Sequence, residues 1–442
     1  MTTSIPRRER QGAPSSPGQG RGQPGPAAVV AVRRLFAHET GNFFLLLGTT
    51  LFLVVFGLVM VLSSSSVTSF TESNDFFTQF LRQGLFAAIG VPIMLVASRM
   101  PAVFWKKWAW LAMVIGMGLQ LLVVATPLGV EINGNRNWLK FGESLTVQPS
   151  EITKAALVIW LAYVLSSKAD KLRDIRQVVV PIAPVAGAAI AFVLYGGDLG
   201  TAIILISIVL GSMFFAGVRL RFLAIPVIAG SILTPMFMFS SNARGDRIDV
   251  WLDGCSSSAD YATFCWQTVH GWWALAAGGF FGVGLGNSKA KWSWLPEADN
   301  DFIFAIIGEE LGLLGAITVL VLFIVLAVAF IRIIHASTDP FARITVSAVM
   351  VWIIGQAFVN IAVVLGVLPV LGVPLPLISS GGSALVTTLF AIGIVLSFAR
   401  HPDGAQARGP QVPTSAGADS PAGVDNRASP RTAQPRRTRP TR

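Results

Sequence analysis

Apolar runs of about twenty residues recur along this chain from residue 42 to residue 399, each bounded by a short polar or basic stretch. Wound as a helix at 1.5 Å of rise per residue, such a run matches the roughly 30 Å hydrocarbon core of a bilayer. The pattern predicts ten spans, near 42–62, 80–98, 108–126, 151–167, 177–196, 199–217, 222–240, 302–334, 341–365 and 382–399. Two connections are too long to be simple turns, Thr126 to Glu151 and Ser241 to Asn300. The expected fold class is an all-α polytopic membrane protein, with ten transmembrane helices and a large extracytoplasmic loop, 241–300, between helices 7 and 8. The membrane domain would cover 42–399, with residues 1–41 and 400–442 as tails.

Both tails are rich in Pro, Gly, Ser and Arg and have no apolar period, so they read as disordered, and the first carries no signal-peptide pattern. Arg33 and Arg34 flank the first span and Arg400 ends the last, which puts both tails on the cytoplasmic side by the positive-inside rule. The same rule assigns inside the loops carrying Arg99, Lys106 and Lys107; Lys168, Lys171, Arg173 and Arg176; Arg219 and Arg221; and Arg332 and Arg343. The stretch Ser63 to Gln79, assigned outside, has no Lys or Arg.

Composition agrees with this picture. Hydrophobic residues make up 53% of the 442 and charged ones only 13%, more apolar than a water-soluble domain needs for its core. The net charge of +10 would suit nucleic acid, but the basic residues lie in inter-helix loops and tails, so no nucleic-acid partner is expected.

Polar residues inside such a chain are costly and point to function. The stretch Leu295 to Gly315 (LPEADNDFIFAIIGEELGLLG) places Glu297, Asp299, Asp301, Glu309 and Glu310 at the start of an apolar helix. Two explanations compete for Asp301: it can cap the helix, complementing the positive end of the dipole, or it can do chemistry at the membrane surface. Glu309 and Glu310 lie deeper and need a polar cavity or a cation, for which Arg136 and Lys154 are the candidates. In the first long connection Ser150 is placed to cap the fourth span, with Glu151 and Lys154 on the same face. In the second, Cys255 and Cys265, the only cysteines, read as a structural disulfide rather than a metal site, since no His accompanies them at ligand spacing. Gly278 to Lys289 (GGFFGVGLGNSK) is either a tightly packed turn or a loop whose N–H groups cradle an anion. Asp198, Gln356 and Asn360 suggest a hydrophilic pocket between helices, and the Pro- and Gly-broken segment Val367 to Val386 would line a cavity.

The strings NGNRNW, QPSEITK, GDLGTA, LPEADNDFIFAIIGEELG and GVPLPLISSGGSAL, in this order between ten spans, resemble the SEDS family of peptidoglycan glycan-strand polymerases over nearly all of residues 42–399. The PEA at Pro296 to Ala298 followed by GEELG is more similar to the family's division branch than to its elongation branch. The resemblance implies a reaction in which lipid II is the acceptor and a polyprenyl-diphosphate-linked glycan the donor, with Asp301 as the catalytic carboxylate. The cations that could steady the departing diphosphate are Arg136, Lys154, Lys289 and Lys291, with Arg136 and Lys154 preferred because they fall on the matching motifs. A wider substrate set adds Glu151, Asp198, Glu297, Asp299, Glu309, Ser379 and Ser383. Where the family usually has His-Thr before that Asp, this chain has Asp299-Asn300; Asn137 stands for an Arg and Ser380 for a Tyr. The extra Asp299 suggests a divalent cation, Mg or Mn, near the diphosphate. The resemblance further implies a class B penicillin-binding protein as transpeptidase partner, other division proteins docking on the tails, and a place at the septum of a bacterial plasma membrane. A lipid II flippase would also use broken helices around an internal pocket.

Overall fold

The computed structural model describes residues 40–132, 135–141, 145–238, 251–252, 254–255, 265–292 and 294–400. The expectation of disordered tails, and much of the 241–300 loop, lies outside those residues.

Each predicted apolar run is helical: α1 Gly41–Ser73, α2 Thr78–Ala97, α3 Ala102–Ala125, α4 Pro149–Ser167, α5 Ile175–Tyr195, α6 Leu199–Phe215 and α7 Leu220–Met238, then α9 Ile303–Ala336, α10 Pro340–Val364 and α11 Ser383–Arg400. Seven of them, α1, α2, α3, α5, α9, α10 and α11, are long and apolar enough to cross a membrane. Helices α6 and α7 are apolar but shorter in that sense, and α4 carries Glu151 and Lys154 in its first turns. Large side chains such as Phe52, Val96, Val114 and Ile324 are exposed on the outside of the bundle, where lipid rather than water would cover them.

Three features depart from the sequence reading. Helix α1 runs through Ser73, well into the stretch expected to be a loop. Its serines bond back to the helix, Ser65 Oγ to the Val61 carbonyl and Ser73 Oγ to that of Ser69, so a polar run stays helical until Asn74 turns left-handed at φ 57°. The all-α expectation fails at Thr126 to Glu151, which folds as strands β1 Gly129–Ile132, β2 Asn135–Phe141 and β3 Leu145–Val147 in one antiparallel sheet of order β1-β2-β3. The long loop contains a helix of its own, α8 Trp266–Gly278, packed on α9.

Helix α4 is the buried centre, packed against α3, α6 and α10, while α11 packs on α2, and α9 joins α1, α8 and α10. Helix α9 is broken at Gly312, with φ 70° and ψ −164°. The break frees helical carbonyls and N–H groups, and the glycine loop after α8 takes them up: Val283 N donates to Glu309 O and Gly284 N to Glu310 O, while Leu313 N donates to Gly279 O. Gly282 and Gly312 meet backbone to backbone there, at positive φ, and a Cβ on either would collide with the other strand of the contact.

Candidate functional site

A polar cavity of about 650 Å³ opens at one end of the bundle. Its wall comes from the first turns of α2, α4, α6 and α11, from β2, from residues 296–301 ahead of α9, and from the broken segment 369–374. Helix N-termini carry partial positive charge, so this convergence favours an anionic occupant.

Asp301 lies on that wall, before the first residue of α9. The capping explanation does not hold: Phe302 occupies the cap position and no side chain caps the helix. The Asp301 Oδ1 is instead buried without a hydrogen-bond partner among the described residues. Burial raises its pKa to about 7, helped by the negative charges of Glu297, Asp198 and Asp299. Space beside the carboxylate is kept by Gly372, where a Cβ would sit 3.7 Å from Oδ2. The backbone around it is held firmly. Asn360 Nδ2 donates to Asp301 O at 2.8 Å, Ser379 Oγ to Asn300 O at 2.7 Å, and Ser380 N to Asp299 O at 2.9 Å.

Across the cavity Lys154 is buried, with its Nζ 2.8 Å from Glu151 Oε1 and 3.0 Å from Gln356 Oε1. Two of its three N–H donors are thus engaged, and its charge is balanced locally through an i, i+3 pair. Lys154 is therefore not the partner of Glu309 or Glu310. Ser150 does not cap α4 either: Gln148 holds that position, and Ser150 Oγ is buried without a partner among the described residues. Asp198 caps α6 through Thr201 N and accepts from Gln148 Nε2 at 3.1 Å. Ser383 Oγ accepts from Gln148 N, and Glu297 lies on the wall beside Asp301.

Several expected contacts lie elsewhere. Arg136 is exposed on β2, donating Nη2 to the Thr126 carbonyl, and is absent from the cavity wall. Lys289 is exposed, and Lys291 is buried with Nζ on Gly286 O, Ser63 O and Glu310. Glu310 also accepts from Ser63 Oγ. The anion in the glycine loop proves to be Glu309 of the chain itself, whose carboxylate accepts from Ser288 Oγ and from Lys289 N. Asp299 is half-buried, its pKa raised chiefly by desolvation, and its Oδ2 accepts from Gln79 Nε2 at 3.4 Å. The described residues contain no group of three or more acidic, His or Cys side chains able to hold a metal. Cys255 and Cys265 are joined, with Cα atoms 5.7 Å apart.

Arg82 was missed by sequence reasoning. It lines the cavity from the start of α2, and its signal in the sequence is that it is the one charged residue in the otherwise apolar helix Thr78–Ala97.

The family model described as a cell cycle protein, FtsW/RodA/SpoVE, matches residues 44–403. The chain belongs to this family. Within the FtsW/RodA/SpoVE family it is similar to the probable peptidoglycan glycosyltransferase FtsW of Mycobacterium tuberculosis, 38% identical over 360 residues that make up 81% of this chain and 68% of that one. The probable FtsW of Geobacter sp. strain M18 is 35% identical, over 80% of this chain and 95% of its own. Among solved structures, a chain in a peptidoglycan synthase complex, described as coordinating polymerization and crosslinking, matches with a TM-score of 0.65 at 23% identity. That match covers 81% of this chain and 97% of the other, and carries the fold alone.

Proposed function

We propose that this chain is a peptidoglycan glycosyltransferase of cell division, polymerising glycan strands from lipid II as acceptor and a polyprenyl-diphosphate-linked glycan as donor. The observation that carries the reading is the unpartnered Oδ1 of Asp301 on a polar cavity. The ionised carboxylate takes the proton of the acceptor sugar hydroxyl as that oxygen bonds to the donor's anomeric carbon. The anomeric bond to the diphosphate breaks with inversion, and the diphosphate leaves with the electron pair. A general base works best with a pKa near the working pH, which is where burial holds Asp301. Lys154 and Arg82, both on the wall, are the cations that would meet the departing charge. Arg136, Lys289 and Lys291 have no such role in this geometry.

The ten helices of the apolar runs are ten spans in this reading, with both ends cytoplasmic and the sheet, α8 and the cavity outside. Transport is less well supported, because the cavity wall comes from one end of the bundle. A class B penicillin-binding protein supplies the crosslinking step, in keeping with the synthase complex that shares the fold.

The test is purified protein with fluorescent lipid II, with and without that partner. Wild type should yield glycan ladders, and Asp301→Asn should lose about 10²-fold or more of the rate while still inserting and binding its partner. Wild-type ladders from Asp301→Asn would remove the carboxylate from the chemistry.

A further inference from the structure

Two buried amides on α10 occupy the space between the cavity's charges and its broken wall. Asn360 Nδ2 donates to Asp301 O at 2.8 Å and to Val373 O at 2.7 Å. One turn earlier, Gln356 Oε1 accepts from Lys154 Nζ at 3.0 Å and from Trp352 Nε1 at 3.1 Å, while its Nε2 donates to Pro374 O at 3.0 Å. Asn360 and Gln356 are 1% and 3% exposed, so water cannot replace these bonds cheaply. Each amide therefore ties one cavity residue to one of two adjacent carbonyls in the segment 369–374. Residues i and i+4 of a helix share a face at fixed separation. The carboxylate and the ammonium on opposite sides of the cavity are in this way referred to one rigid rule.

We propose that Gln356 and Asn360 are positioning residues that fix the register between Lys154 and Asp301. The inference rests on the polymerase reading above, since register matters only if both groups act on one substrate. Asn360 touches no reacting atom; it acts through the Asp301 backbone. A misplacement of about 1 Å can cost about 10² in rate without touching substrate affinity. It would also let water reach a carboxyl faced by Glu297 and Asp299 from its own segment, by Asp198 from α6, and by Glu151, Lys154 and Arg82 across the cavity.

The experiment compares kcat, KM and the pH profile of glycan polymerisation, in the complex with the partner, for wild type, Asn360→Ala, Asn360→Ser, Gln356→Ala and Asp301→Asn. Asn360→Ala should lower kcat about 10²-fold with KM within about twofold, and should move the acid limb of the profile to lower pH. Gln356→Ala releases Lys154 but not Asp301, so it should lower kcat/KM about tenfold and leave the acid limb in place. If Asn360→Ala does not fold, Asn360→Ser keeps one donor and should show the same changes at smaller amplitude. An acid limb and kcat unchanged in the folded Asn360 variants, or a loss of thermal stability without a shift of the limb, overturns the proposal. Should Asp301→Asn retain activity, the polymerase mechanism itself has failed; should it be dead while the amide variants behave as wild type, only the positioning role falls.

Discussion

At the scale of single residues, the proposed mechanism turns on the state of one carboxyl. The folded pKa of Asp301 is about 7 against 3.8 for the free side chain. Below pH 4 both states are protonated and nothing is lost; between about 4 and 7 the unfolded chain gives up the proton first, so stability falls as pH rises, and it stays lowered above 7. Asp301→Asn should therefore melt no lower than wild type at pH 7.5, and higher if anything, with the difference vanishing near pH 4; thermal unfolding in detergent at the two pH values measures this. A drop in melting temperature at pH 7.5 would mean that the ionised carboxyl has a partner in the folded state. Asp301 was legible in the sequence because a carboxylate is rare ahead of so apolar a helix. The partners of the other buried charges were not. Local spacing suggested the i, i+3 pair of Lys154 with Glu151, but nothing local shows that Ser63, Ser288 and Lys291 fold back on Glu309 and Glu310.

At the scale of elements, the break in α9 and the glycine loop form one unit, each supplying the other's missing hydrogen bonds. Gly282→Ala should be strongly destabilising, because the new Cβ would collide with the Glu310 carbonyl at a φ of +79°. Gly286→Ala, at a similar φ of +81° with open space around it, should cost only the backbone strain, about 1–2 kcal/mol. The ranking of the two melting temperatures checks it; equal losses would show that the Gly282–Gly312 contact is unimportant. Helix positions were readable from the apolar runs since length and hydrophobicity suffice for a span. The sheet at residues 129–147 was not, because its strands are short and a bulge at Val130 and Glu131 breaks the alternation of side chains. Nor was α8, in which a 13-residue run has no bilayer to match and only its packing on α9 to hold it.

For the whole molecule, the loop charges and the cavity make one joint forecast about sidedness. Single cysteines replacing Lys140 on β2 and Lys171 between α4 and α5, in a chain lacking Cys255 and Cys265, should label from opposite faces, Lys140→Cys from outside in intact cells and Lys171→Cys only after the inner face is opened. Labelling of both from one face would contradict the ten-span topology. The cavity has a further meaning for any small molecule built to fill it. The ammonium of Lys154 is already paired with Glu151, whereas burial holds the carboxyl of Asp301 up at about 7, so that it still binds a proton near neutral pH. A cationic inhibitor seated against Asp301 must expel that residual proton as it binds, so its affinity rises with pH until the carboxyl is fully ionised. A neutral amide, able to donate to one protonation state and accept from the other, would bind with little dependence on pH, and is the better starting point for a compound meant to work across the acidity of different growth media.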